Sequence, residues 1–210
     1  QALAPYYNSE QYYTYEQKNT KKTVTKTVRQ VVDEALDVLS ALQLSDGDFE
    51  SWGEENAEST SQVLVALTAL GIDPLTDKRF IKKGNTLLDG ILKFKMKDGG
   101  FVHSKTYNPE NPTSIPDESN TMASEQVLYA LISLYRFEEG YRSLYDFRPE
   151  MNSELKEQIE TIKQSIDNLP DKLSKKDTTQ INEVFEAFLQ IPASERSYVY
   201  NYHRLSIYHY

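Results

Sequence analysis

The chain has 210 residues, no Cys, 26% charged residues and a formal net charge of -9. That length can bury a real core without cross-links, while the missing thiols exclude disulfides, thiolate metal ligands and Cys nucleophiles. The acidic balance disfavours nucleic acid and anionic membranes, which need clustered Lys and Arg, and no run of about 18 apolar residues offers a membrane span.

Residues 1–22 form a Tyr-rich lead-in with Tyr6, Tyr7, Tyr12, Tyr13 and Tyr15. It has no convincing helical or alternating period, so an extended segment with at most one helical turn is expected. Starting at Gln1 rather than Met, the sequence fits a mature or trimmed chain. From Thr23, Val24, Val28, Val31, Val32, Ala35, Leu36, Val38, Leu39 and Leu42 recur at steps of three and four, predicting one amphipathic helix to about Leu44. Asp46-Gly47 is a turn signal. A second helix follows the N-cap candidates Asn56 to Thr60, burying Val63, Ala66, Leu67 and Leu70 before Gly71.

A third helix is predicted over about Asp77 to Met96, where Gly84 and Gly90 either weaken it or permit close packing. The loop from Val102 to Ser119 holds Pro109, Pro112 and Pro116 and cannot be helical throughout. A fourth helix, about Thr121 to Glu139, presents Val127, Ala130, Leu131 and Leu134. After the break at Asp146-Phe147-Arg148-Pro149, a domain boundary is placed at 147/148. Three further helices are predicted: one carrying Leu155, Ile159, Ile162 and Ile166; one carrying Ile181, Val184, Phe185, Phe188 and Leu189, with a capping pattern at Ser174 to Asp177; and one over Ala193 to Tyr208 with Tyr198, Val199, Tyr202, Leu205 and Tyr208.

An internal repeat organises residues 23–147. Asp46-Gly47-Asp48-Phe49 returns as Asp98-Gly99-Gly100-Phe101 at an offset of 52, and Asn56 to Leu67 returns as Asn120 to Leu131 at an offset of 64, the difference of 12 being an insertion in the second loop. Each unit reads helix, Gly-Phe turn, loop, helix.

These paired units resemble the helical hairpins of the α/α-toroid superfamily, which includes prenyltransferase β subunits, terpenoid cyclases, thioester-containing complement domains and transcobalamins. The run from Ser59 to Pro74 is especially similar to prenyltransferase-like repeats in surface or secreted proteins of Gram-positive bacteria. Residues 148–210 resemble small helical modules of bacterial surface proteins through Ile166-Asp167-Asn168-Leu169-Pro170, Ile191-Pro192 and Val199 to Leu205. The resemblance implies an all-α protein: a partial toroid of two hairpins, where a complete ring has five to seven, followed by a three-helix bundle. It also implies an extracellular or cell-wall location.

The chemistry of those relatives is not encoded here. A prenyltransferase zinc needs Asp, Cys and His, whereas this chain has no Cys and three His, at 103, 203 and 209. Asp46-Gly47-Asp48-Phe49 lacks the adjacent Asp pair of a cyclase acid, and Ala123-Ser124-Glu125-Gln126 has Ser where a thioester needs Cys. Asp46, Asp48, Glu50, Glu54 and Glu55 lack calcium-loop register and read as a solvated acidic loop. His103 has no partner at a defined spacing.

Trp52, Phe49, Phe101, His103 and Tyr107 lie in the two equivalent loops. In toroids such loops rim the central cavity, so these five are the candidate ligand contacts, for glycan or lipid, against the plainer reading that both Phe residues plug the hairpins and Trp52 caps them. No catalytic residue, metal or cofactor is assigned. The expectation is a non-enzymatic exported or cell-surface binding or adhesion module, the end of a larger toroid domain, with weak self-association or upstream domains as further partners. The rival is a fragment of a terpenoid-cyclase-like or polysaccharide-lyase-like enzyme whose catalytic residues lie elsewhere.

Overall fold

In the computed structural model, residues 1–112, 114–170 and 175–207 are described. The lead-in has one 3-10 turn, Ala4–Tyr6, and an extended strand that belongs to a β-hairpin: β1 (Tyr12–Glu16) pairs antiparallel with β2 (Thr23–Thr27), Tyr12 opposite Thr27 and Glu16 opposite Thr23. Thr-Val-Thr-Lys-Thr is rich in β-branched residues, which favour the pleated conformation. The helix expected from Thr23 therefore begins only at Val28, as α1 (Val28–Leu42). A second miniature hairpin, β3 (Glu50–Ser51) with β4 (Glu54–Glu55), turns at Trp52 and Gly53. With 48% helix and 9% strand, the class is mixed α and β, which corrects the all-α expectation.

Two compact units divide the chain: Gln1 with Val32–Phe147, and Ala2–Val31 with Arg148–Tyr210. In the first, α2 (Ala57–Ala69) packs on α3 (Leu87–Leu92) and on α4 (Thr121–Glu138). Asn56 and Asn120 cap α2 and α4 through side-chain oxygens that accept from Ser59 N–H and Ala123 N–H. The predicted third helix is reduced to a 3-10 turn, Lys78–Phe80, and the six residues of α3. Lys83 and Gly84 both adopt positive φ, as a tight hairpin turn requires, and Lys82 bridges Asn85, so a helix cannot run through. Thr86 and Asp89 then form a capping box that starts α3 afresh.

The repeat recurs bond for bond. Phe49 N–H donates to Thr60 Oγ1 as Phe101 N–H does to Ser124 Oγ, and Asn56 N–H donates to Phe49 O as Asn120 N–H does to Phe101 O. Equivalent Gln62 and Gln126 hydrogen-bond each other at 3.0 Å. Val63, Leu67 and Leu70 are buried with Ala66 half-buried, and Val127, Ala130 and Leu134 are buried with Leu131 half-buried. Gly90 is there for close packing: a Cβ on it would lie 2.5 Å from the Gly47 carbonyl carbon and from Asp48 N. At Gly47, φ is +95° and a Cβ would meet Thr86 O at 2.0 Å.

In the second unit, Ile159, Ile162 and Ile166 of α5 (Ser153–Asp167) meet Ile181, Val184 and Phe188 of α6 (Thr178–Gln190) in one cluster with Tyr198, Val199 and Leu205. Phe185 is half-buried and Leu189 is 38% exposed, so α6 buries a narrower face than predicted. The predicted last helix is a 3-10 turn, Arg196–Tyr198, followed by the short α7 (Tyr202–Ser206); Ser174 and Tyr208 lie outside the described residues. The lead-in is tied to this unit by Asn8, whose Nδ2 donates to Val199 O, and by Arg29, stacked 3.7 Å over Tyr7.

Candidate functional site

The five loop residues singled out from sequence do not form one surface. Phe49 and Phe101 are buried, at 4% and 8% exposure, and serve the hairpin cores. Trp52 caps nothing: it is fully exposed, and its φ of +55° is a conformation that a bulky side chain rarely adopts. Tyr107 is 59% exposed. His103 is largely buried, its Nδ1 2.8 Å from Glu58 Oε1 and its Nε2 3.7 Å from Glu54 Oε2, while its carbonyl accepts from Ala57 N–H at the start of α2. Two carboxylates thus flank the ring and orient it, and the His103 loop is fastened to the α2 N-terminus.

The acidic loop is solvated at Glu50 and Glu55, but Asp48 is buried and ion-paired. Lys93, just past α3, places its ammonium 2.6 Å from Asp48 Oδ2 and 2.8 Å from Glu55 Oε2, and also pairs with Asp46. Carboxylate oxygens of these three acids lie within 4.8 Å of one another, a spacing that would suit a cation, but the Lys93 ammonium already sits on all three. Asp48 is completely buried, and its Oδ1 has no hydrogen-bond partner among the described residues. Burial pushes the Asp48 carboxyl up to about 7, against the pull of Lys93. Burial also opposes the Lys93 charge, yet hydrogen bonds to Asp46, Asp48 and Glu55 hold its pKa above the ordinary lysine value. For Asp46, burial is outweighed by Lys93 and Asp48, and its pKa is lowered. The arrangement is an ion-paired lock between α3 and the Gly-Phe turn.

Two concave sites lie in the second unit. Strand alternation puts Tyr13 and Tyr15 on one face of the N-terminal hairpin. With Leu3, Tyr6, Val28 and Val31 they line a cleft of about 440 Å³, with Lys26 at its rim. Tyr6, Tyr13 and Tyr15 are 57%, 44% and 38% exposed, so all three reach solvent. A second cleft of about 540 Å³ uses the opposite face, from Tyr7, Tyr12 and Arg29 to His203. Sequence reasoning missed both. The available signal was the i, i+2 spacing of Tyr13 and Tyr15 opposite the alternating Thr23 to Thr27.

No protein-family model, curated protein or solved structure matches this chain.

Proposed function

We propose that the chain is a non-enzymatic binding module that takes a glycan segment in the cleft of Tyr6, Tyr13 and Tyr15. One observation carries this reading: three accessible Tyr rings share one concave apolar cleft with a Lys at its rim. Tyr offers a rigid apolar face for the C–H side of a sugar ring and a hydroxyl for its polar edge, at low entropic cost. An exported or cell-wall setting is part of the proposal and rests on the resemblance of Ser59 to Pro74 to surface-protein repeats.

The test is titration calorimetry of the full chain with chitohexaose, with phosphatidylcholine vesicles as the second probe, followed by chromatography of the recovered sugar. Expected are saturable sugar binding, abolition by Tyr13→Ala with Tyr15→Ala, and intact hexamer afterwards. Vesicle binding in place of sugar binding, or shortened sugar products, would overturn the reading.

A further inference from the structure

The junction between the two repeats shows what each repeat edge is built to meet. On α2, the stripe Ala57, Ser61, Leu64 and Thr68 is buried, with Thr68 Oγ1 2.7 Å from Ser133 Oγ of α4. The equivalent stripe on α4, 64 residues on, is Thr121, Glu125, Leu128 and Ile132, and all four are exposed: Leu128 is 58% and Ile132 42% exposed, where Leu64 is 0% and Thr68 3%. At the other end the pattern reverses. Leu87, Gly90 and Phe94 are buried around α3, and their equivalents 52 residues earlier, Ala35, Val38 and Leu42 on α1, are exposed, the last two at 60% each.

The turns agree with the helices. Gly47 is pressed against Thr86 and Gly90, whereas its equivalent Gly99 has nothing within 4 Å of a Cβ position. The repeat unit therefore presents two unlike faces that fit each other, and the first unit of the fold exposes one of each at its two ends.

We infer that the α1 edge of one copy of this chain docks on the α4 edge of a second copy, repeating between molecules the junction found inside one. The cation and two of its three acids are missing together. Lys93, which enters the acid cluster at the internal junction, is replaced on the α1 edge by Ala41, and Asp48 and Glu55 are replaced on the α4 edge by Gly100 and Ser119. Asp98 remains in that turn and is held by Ser119 Oγ and Gly100 N–H instead of a lysine. Val38 stands where Gly90 approaches backbone, so α1 keeps a greater distance than α3 does and the contact between copies is looser than the internal one. Because the two faces differ, the contact is heterologous, and copies add head to tail.

Sedimentation equilibrium of the full chain over a concentration series tests this with Leu42→Asp and Leu128→Asp, both at exposed positions, with circular dichroism confirming that each variant is folded. Expected are an average mass that rises with concentration for the unaltered chain, monomers for each variant alone, and a one-to-one dimer when the variants are mixed, since each supplies the edge the other lacks. An unaltered chain that stays monomeric into the hundreds of micromolar overturns the inference. So does a Leu42→Asp variant that associates like the unaltered chain, which would mean two α4 edges meeting, or a mixture that stays monomeric.

Discussion

Replacing Lys93 with Met tests whether the acid cluster is a lock that depends on one cation. Met keeps most of the aliphatic stem and removes the ammonium, which also lies 5.1 Å from the Phe94 ring centroid. At pH 8 the variant must either keep a charge on the fully buried Asp48 beside Asp46 and Glu55 with no counter-charge or protonate it; the cost of breaking a buried pair, about 3 to 5 kcal/mol, is the ceiling of the loss. Acid should relieve the loss.

Asp48 has a folded pKa of about 7, above its value of 3.8 in a free chain, so the folded state binds the extra proton. Its contribution to stability is fully present below about pH 4 and is lost as pH rises through about 7. Without Lys93 its pKa rises further, so at pH 5 Asp48 is neutral in both proteins. The remaining cost is then that of Asp46 and Glu55, whose side chains are 47% and 51% exposed, and for groups so accessible about 1 kcal/mol is expected. Urea unfolding followed by circular dichroism at pH 5 and pH 8 measures both values. An equal loss at the two pH values would refute the buried, proton-holding role of Asp48.

Gly90→Ala should destabilise by about 1 to 3 kcal/mol, because overpacking against the Gly47 and Asp48 backbone outweighs the roughly 1 kcal/mol that Ala gains in a helix; thermal unfolding that shows a gain would mean that the glycine contact is loose. Leu67→Ala should cost about 2 to 5 kcal/mol in chemical denaturation, whereas Leu128→Ala on the open edge should stay within about 0.5 kcal/mol. Similar losses at the two positions would count against the burial difference between the repeats.

The repeat was legible because it is written in residues whose backbone roles are local: a Gly in each turn, an Asn that caps each second helix, and a hydroxyl at Thr60 and Ser124 that accepts from the Phe N–H. The N-terminal hairpin was not. Val24 and Val28 continue the three-and-four spacing of α1, so the apolar pattern alone extends the helix back into Thr23–Thr27, although Thr at 23, 25 and 27 carries the opposing strand preference. The third helix failed on turn chemistry at Lys83 and Gly84. The acidic loop was misread for a different reason: its cation comes from Lys93, 38 to 47 positions further along the chain, and no local spacing announces such a partner.

Comparison of the two Gly-Phe turns says what the acids are for. Asp46 and Asp98 occupy the same turn position, and Asp98 needs no lysine: it accepts from Ser119 Oγ at 2.7 Å and from Gly100 N–H at 3.0 Å, bonds that lower its pKa. One Asp therefore serves the turn in each repeat. Asp48 and Glu55 are additional, and they occur in the turn that Lys93 reaches, while Gly100 and Ser119 stand in the turn that Lys93 does not reach. A buried carboxylate is costly unless compensated. Asp48 is sustainable because α3 delivers the compensating charge, which makes the cluster a recognition element between successive repeats. The same reasoning explains the second turn: with no lysine delivered there, acids at positions 100 and 119 would find no partner, and Gly and Ser stand in their place.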